Sequence, residues 1–309
     1  MDIFTQQLIN GLVLGSVYAL IALGYTLVYG ILELINFAHG EIAMIGAMVS
    51  LAVIQALAAA GMGLSGPMLV LAGVAVAIPA CAMLGYSIER IAYRPLRRAP
   101  RLAPLITAIG VSIILQNLAM IIWGRQYIAF PAVLENTRHA LFGATVTNVQ
   151  ITIVILSAVL MGGLMLLIKM TRLGRAMRAT AQAPDIAGLM GVNINRIISV
   201  TFIIGSSLAA IGGLMVSAYY GIAHYYMGFM LGLKAFTAAV LGGIGNVAGA
   251  VLGGLLLGLI ESFGAGYLGT LTNGFLGSHY QDVLAFGVLI IVLTIKPSGL
   301  LGERVAERP

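Results

Sequence analysis

Charge is scarce in this chain. Only 8% of its 309 residues are Asp, Glu, Lys or Arg, where soluble domains carry roughly a quarter. That shortage excludes a water-facing surface of ordinary size and points to a protein whose solvent is the bilayer. Cysteine is nearly absent too. Cys81 stands alone inside an apolar run, which excludes a disulfide framework or a thiolate cluster and leaves a small packing residue. None of the three lysines, Lys169, Lys234 and Lys296, follows a Gly and precedes Ser or Thr, so the chain lacks a phosphate-cradling loop of that type. Four scattered histidines give no ligand spacing, His39-Gly40-Glu41 is not a zinc-protease pattern, and no nucleophile stands beside a base.

What is present is oil and glycine: 60% apolar residues, 40 Gly and a mean hydropathy of +1.05. The apolar runs are long rather than ~10-residue alternating segments, so helices are expected and not a barrel. The fold expected is an all-α integral membrane protein. It is a single transmembrane domain over 1–309, a polytopic bundle of about eight spans (seven to ten) with discontinuous or re-entrant segments. The spans expected are Leu8–Gly30, Glu41–Ala60, Met68–Ser87, Pro104–Trp123, Val149–Ile168, Ile197–Ala218, Phe236–Ser262 and Val283–Ile295. The opening MDIFTQQLINGLVLG lacks a basic start, and its apolar run reads on too long for a signal peptide. It is expected to be the first span.

The net charge of +6 does not spread as a nucleic-acid face would, and no nucleic-acid partner is expected. Ten of the sixteen basic residues sit in two loops: Arg90, Arg94, Arg97, Arg98 and Arg101 beside Glu89, then Lys169, Arg172, Arg175, Arg178 and Arg196 beside Asp185. The positive-inside effect expects both loops, 87–101 and 169–196, on the cytoplasmic side. Parity then puts the N-terminus and the segment 124–148 outside. Three simple crossings after Arg196 would leave the C-terminus outside, against the hint from Lys296, Arg304 and Arg308. A break within 220–262 would restore parity, and Leu241–Gly254, LGGIGNVAGAVLGG, supplies a candidate.

Two stretches interrupt the oil and carry the substrate-pathway candidates. Ile31–Ala47 places Asn36, His39 and Glu41 between apolar runs; inside a bilayer such groups are functional, in a water-facing turn they are ordinary. The second offers Gly242, Gly243, Gly245 and Asn246. Paired breaks of this kind build midplane sites in transporters with internal repeats. Gly243-Ile244-Gly245-Asn246-Val247-Ala248 fits a dinucleotide fingerprint on paper, but nothing around it reads as a βαβ unit. Close helix packing explains Gly249/Gly253, Gly254/Gly258 and Gly11/Gly15 better. Lys234 and Glu261 are expected to snorkel or pair near span ends, and Trp123, Tyr127, Tyr219, Tyr225 and Tyr226 to form an interfacial belt.

The longest polar interruption is Thr171–Arg196. Pro184 suits a first helical position, Asp185 the positive helix end, and Gly191 a left-handed stop. The short helix between them would expose Leu189 and Met190 with no core to cover them. Spans three to six hold essentially no ionisable residue, which weakens an ion-driven carrier and favours a pore moved by an engine docked at this loop.

Four blocks now fall in register: NFAHGEIAMIGA at 36–47, ATAQAPDIAGLMGVNINRII at 179–198, LGGIGNVAGAVLGGLLLG at 241–258 and KPSGLLGE at 296–303. Together they resemble the permease of bacterial branched-chain amino acid ABC transporters, of the LivH type. The resemblance implies a type II importer-like fold in the inner membrane. It implies a heterodimer with a second, LivM-like permease, two cytoplasmic ABC ATPase subunits and a periplasmic amino-acid-binding protein. It implies no cofactor on this chain, with ATP used by the partner subunits, and no enzymatic activity of its own. It places an ATPase-coupling helix at Pro184–Gly191, with Pro184, Asp185, Ala187, Gly188, Leu189, Met190 and Gly191 at the contact. Urea and sugar permeases of the same superfamily, or an ATP-independent channel or carrier, remain the alternatives.

Overall fold

The computed structural model describes every residue except 1, 62, 98, 101, 132, 134–136, 142, 276, 278–279 and 303–309. Arg98, Arg101, Arg304 and Arg308, invoked above for sidedness, and Glu303 of the fourth block fall outside the described residues. The expected all-α polytopic bundle is what the chain forms. Its helices are α1 Asp2–Leu32, α2 His39–Ala59, α3 Gly66–Ile88, α4 Leu102–Trp123, α5 Asn148–Met170, α6 Arg172–Gln182, α7 Pro184–Leu189, α8 Ile194–Tyr220, α9 Met227–Gly242, α10 Val247–Leu271 and α11 Gln281–Ile295. Among the described residues seven are long and apolar enough to cross a membrane, and α9 and α11 are shorter apolar helices.

The bundle has two distinguishable ends. At the strand end, β1 (Ile128–Ala129) pairs antiparallel with β4 (Ile222–Ala223), and β2 (Arg138–Leu141) with β3 (Ala144–Thr147). Gln6 in the first turns of α1 bonds the Thr145 backbone there. At the opposite, basic end lie the arginine-rich segments and α6 and α7. Local chemistry sets several helix starts. Thr147 and Gln150 form a reciprocal capping box on α5, and Thr171, Asn193 and Asn246 cap α6, α8 and α10 through their side-chain oxygens. Gly221, with φ +72, stops α8.

One expected span is corrected. Phe236–Ser262 is not a single helix: α9 and α10 form an antiparallel hairpin, turning at Gly243 (φ +106) and Gly245 (φ +92). Any side chain would be strained at these positive φ values, and one on Gly243 would also run into Gly302; a turn this short, between two apolar helices, barely lowers the hydropathy of the stretch. The hairpin answers the parity problem. The chain runs to the strand end in α8, back in α9, out in α10 and back in α11. Residues 300–301 then pair with Leu241 and Gly242 at the basic end.

Helix α1 is the axis. Its apolar window is 89% buried, and its Gly11/Gly15 face lies antiparallel against Gly254/Gly258 of α10. A Cβ on Gly15 would fall 2.7 Å from Leu255 Cα, and one on Gly11 2.8 Å from Leu259 Cα. Gly253 meets α9 at Ala238 and Gly242 instead, so the expected close-packing role of these glycines holds. By contrast α3, α4 and α5 each bury one stripe and expose large apolar side chains such as Leu71, Ile113, Ile121 and Val159, a face of the size that lipid or another subunit covers.

Gly15→Leu is expected to push α1 from α10 and destabilise the fold by roughly 1–3 kcal/mol or more, as overpacked sites do. Gly110→Leu, where a Cβ meets nothing within 4 Å, is expected to be tolerated. Size-exclusion profiles of the detergent-solubilised variants compare them; equal monodisperse recovery would contradict the seam.

Candidate functional site

The first break lies inside the bundle. After Leu32 the chain leaves the helix through Glu33, a non-glycine residue at φ 52, and returns into the interior before α2 begins. His39 packs on Gly24, eight residues or about 12 Å of helix rise before the end of α1, and lies within reach of Gly205 of α8. The open question of the sequence is thereby answered: these groups are buried, not turned into water. Asn36, His39 and Glu41 are each at most 2% exposed, yet they bind different elements. Asn36 Oδ1 accepts from the Tyr93 hydroxyl at 3.0 Å and the Ala38 amide at 3.1 Å. His39 meets the edge of the Tyr25 ring at 4.8 Å. Glu41 Oε1 accepts from Gln116 Nε2 at 2.7 Å and Ser112 Oγ at 3.2 Å, both on α4. Beside these runs a cavity of about 300 Å³, lined by residues including Tyr25, Phe37, Ser112, Gln116, Tyr226 and Phe229.

The second break does not join the first in the interior. Gly242, Gly243, Gly245 and Asn246 sit at the basic end, and their polar groups are already committed. Leu301 N–H donates to Gly242 O at 2.8 Å, Asn246 Nδ2 donates to Leu301 O at 2.9 Å, and Asn246 Oδ1 caps α10 at Gly249. The paired midplane site expected from the sequence is corrected on this point. This segment is a hairpin turn locked by the chain that follows α11. A helix, not a strand, leads into Gly243-Ile244-Gly245, so the dinucleotide reading fails on structure as well.

The loop 171–196 folds as a platform. Thr171 caps α6 through the Gly174 amide, the buried Gly174, Met177 and Thr180 face the bundle, and Arg178 donates to the Ile168 carbonyl. Helix α7 follows, starting at Pro184 as expected and ending at Leu189, with Gly191 left-handed at φ +86. Leu189 is 88% and Met190 81% exposed, and Ile186 joins them one turn earlier. Ala187 is buried and anchors the helix inward, so it is removed from the exposed contact set and Ile186 takes its place. Asp185 and Gly188 remain exposed. Ile186 was readable from the i, i+3, i+4 spacing with Leu189 and Met190.

Two ionic clusters are buried, with partners the sequence did not name. Glu89, 0% exposed, ends α3 in a π-helical turn, Glu89–Tyr93, and accepts from Arg94 Nη2 at 3.1 Å, from Arg97 and from Ser199 Oγ of α8 at 2.7 Å. Arg97 also reaches Asn195 Oδ1 at 2.7 Å. Burial lowers the Arg97 pKa against the opposing pull of Glu89, without discharging a guanidinium. The second cluster joins three helices. Lys234 Nζ of α9 lies 3.1 Å from Glu261 Oε1 of α10 and 2.8 Å from Asp282 Oδ1 of α11, and the Tyr18 hydroxyl of α1 donates to Glu261 at 2.8 Å. Lys234 and Glu261 were expected to snorkel or pair; they pair, in the interior. The aromatic residues at the strand end stack on one another around His224, Tyr127 at 4.4 Å and Tyr225 at 4.3 Å between ring centres.

Lys234→Met leaves two carboxylates facing one another and is expected to cost roughly 3–5 kcal/mol. Adding Glu261→Gln and Asp282→Asn is expected to recover much of it. Thermal unfolding in detergent measures both; a single variant as stable as the parent would remove the cluster from the account of the fold.

The family model described as branched-chain amino acid transport system / permease component matches residues 7–293. The high-affinity branched-chain amino acid transport system permease protein BraD of Pseudomonas aeruginosa is 47% identical over 99% of this chain and 98% of its own. Permease protein LivH of Escherichia coli K12 is 45% identical over 99% and 97%. The probable branched-chain amino acid transport permease protein LivH of Methanocaldococcus jannaschii is 29% identical over 97% and 94%. No solved structure matches. With seven spanning-length helices and a family match over almost its whole length, the chain belongs to the branched-chain amino acid transport system permease family.

Proposed function

We propose that this chain forms half of the membrane path of an ATP-driven importer for branched-chain amino acids in the bacterial inner membrane. The observation that carries the reading is the apolar ridge of Ile186, Leu189 and Met190 on α7, held clear of the bundle at its basic end. Such a ridge needs a partner, and it matches the ATPase-docking helix that the family resemblance implies. The relatives named for high-affinity branched-chain amino acid transport support the substrate.

In this reading the basic end, with segments 87–101 and 169–196, faces the cytoplasm. Two ABC ATPase subunits supply the ATP chemistry, since this chain carries no phosphate-binding loop. Pro184, Asp185, Gly188, Leu189, Met190 and Gly191 meet them, with Ala187 behind. A LivM-like permease covers the apolar face of α3 to α5, and a periplasmic binding protein delivers the amino acid to the strand end. Dimerisation of the ATPases shifts α7, and α8 follows because the two are joined through a tight turn: Val192 N–H donates to Ala187 O at 3.0 Å and Asn193 caps α8.

Reconstitution decides it. The whole assembly in vesicles is expected to raise its ATP hydrolysis with leucine and its binding protein, and not with urea or ribose. Leucine movement by this chain alone, without ATP, would overturn the reading; a response to urea or ribose would overturn the substrate. Leu189→Asp with Met190→Asp is expected to weaken ATPase association by well over tenfold, as loss of central apolar contacts does. The permease itself stays folded because neither side chain is buried. Undiminished co-purification of the ATPases would move the docking site elsewhere.

A further inference from the structure

We infer that the cavity between the start of α2, α4 and α9 binds an organic ammonium group, and that in transport it receives the α-ammonium of the amino acid. This rests on the transport reading above and names the part of the substrate that this chain meets.

The argument begins at Glu41, 1% exposed. Its Oε1 accepts from Ser112 Oγ and Gln116 Nε2, and its Oε2 is buried without a hydrogen-bond partner. A carboxylate oxygen can only accept, so chemistry fixes how both neighbours stand. The single hydroxyl hydrogen of Ser112 is committed to Glu41, and the Gln116 amide turns its nitrogen the same way. What remains to these two residues is mostly accepting capacity: the serine lone pairs and the Gln116 carbonyl Oε1. Both residues line the cavity. Its floor on α4 therefore presents acceptors backed by a buried acid, and no Lys or Arg lines it.

The walls fit the same ligand. Tyr25, Phe37, Tyr226 and Phe229 bring four aromatic rings, whose faces attract cations, and Ile109 and Ile113 supply apolar surface. The volume, about 300 Å³, suits a small molecule. An amino acid zwitterion would enter ammonium first, leaving its carboxylate toward the open side. An uncharged urea or sugar gains nothing from the acid. The Lys234 cluster offers no comparable site, because its ammonium is already shared between Glu261 and Asp282.

The test uses the complete importer in vesicles, with Cys81→Ser removing the native thiol and Ile113→Cys placing one at the cavity rim, where Ile113 is 53% exposed. Two thiosulfonate reagents of equal length are compared, one ending in an ammonium and one in a sulfonate. Relative to their rates on a small free thiol, the ammonium reagent is expected to be favoured roughly tenfold, as a nearby buried charge dictates, saturating leucine to slow it, and Glu41→Gln to remove that extra preference. Equal relative rates in the parent, a ratio untouched by Glu41→Gln, or no protection by leucine would each overturn the site. Should Glu41→Gln fail to assemble, Gln116→Met removes an acceptor while keeping the acid. The leucine concentration for half protection should then rise about tenfold, and an unchanged value overturns the proposal. ATP-dependent leucine uptake, followed in parallel, separates the two levels. Uptake without protection refutes the ammonium site alone, and absent uptake refutes the transport reading beneath it.

Discussion

The close antiparallel contact of α1 with α10 is the constraint on which the other packing choices depend. Between helices in lipid there is no hydrophobic drive, so association relies on van der Waals contact and on backbones that can approach. Gly11 and Gly15 facing Gly254 and Gly258 let α1 sink into the bundle until it touches α8, α9 and α10. A buried α1 then leaves little room for the chain that follows it. The return segment finds space only where glycine has cleared it. Gly24 and Gly205 admit the His39 ring, and Gly40 packs on Gly228 and Gly232 of α9. The intramembrane start of α2 is therefore a consequence of the same small residues that centre α1.

A non-helical return inside the bundle must satisfy its polar groups from protein, since lipid offers nothing. The structure meets this demand unevenly. Glu89 has two guanidinium groups and a hydroxyl, and Glu261 has an ammonium and a phenol. Glu41 has only neutral donors, a hydroxyl and an amide, for one oxygen and none for the other. Of these three buried acids it alone lacks a cationic partner, and the two residues that donate to it line a cavity. The first two acids are charge-paired; the third is not.

Local features were legible in the sequence because local chemistry creates them. Pro184 and Gly191 bracket α7, the spacing of Gly11/Gly15 and Gly254/Gly258 marks the seam, and the arginines gather at one end. The α9–α10 turn was legible as a candidate break at Leu241–Gly254, required by charge parity and marked by glycine, whereas hydropathy alone drew Phe236–Ser262 as one span. The ionic clusters were legible only in part. Arg94 and Arg97 stand within eight residues of Glu89, but Lys234 and Glu261 are 27 residues apart on different helices and Glu89 finds Ser199 110 residues away, so no window along the chain names those partners. The place of Asn36, His39 and Glu41 was undecidable from composition, which is the same for a loop in water and a return in the interior. What decides it is the pair of glycines facing His39.

The contacts at the basic end connect α7 to the buried break before α2 in a continuous series. Helix α7 is bonded into the start of α8 through Ala187 and Val192. The second turn of α8 holds Ser199 and Asn195 against Glu89 and Arg97. The π-helical turn that begins at Glu89 carries Tyr93, fully buried against Phe202, and its hydroxyl holds Asn36. Moving α8 away from the end of α3 would take Ser199 from Glu89 and Asn195 from Arg97, while the Arg94 and Arg97 pairs stay with Glu89. A displacement of α7 that moves α8 therefore strains these two contacts to the π-helical turn, whose Tyr93 holds Asn36. The hairpin turn at Gly243–Asn246 lies outside this series, tied instead to the chain after α11. The first break is thus joined to α8 by side-chain hydrogen bonds, whereas the second meets α6 only across a cavity that Met177, Ala181 and Gly245 line.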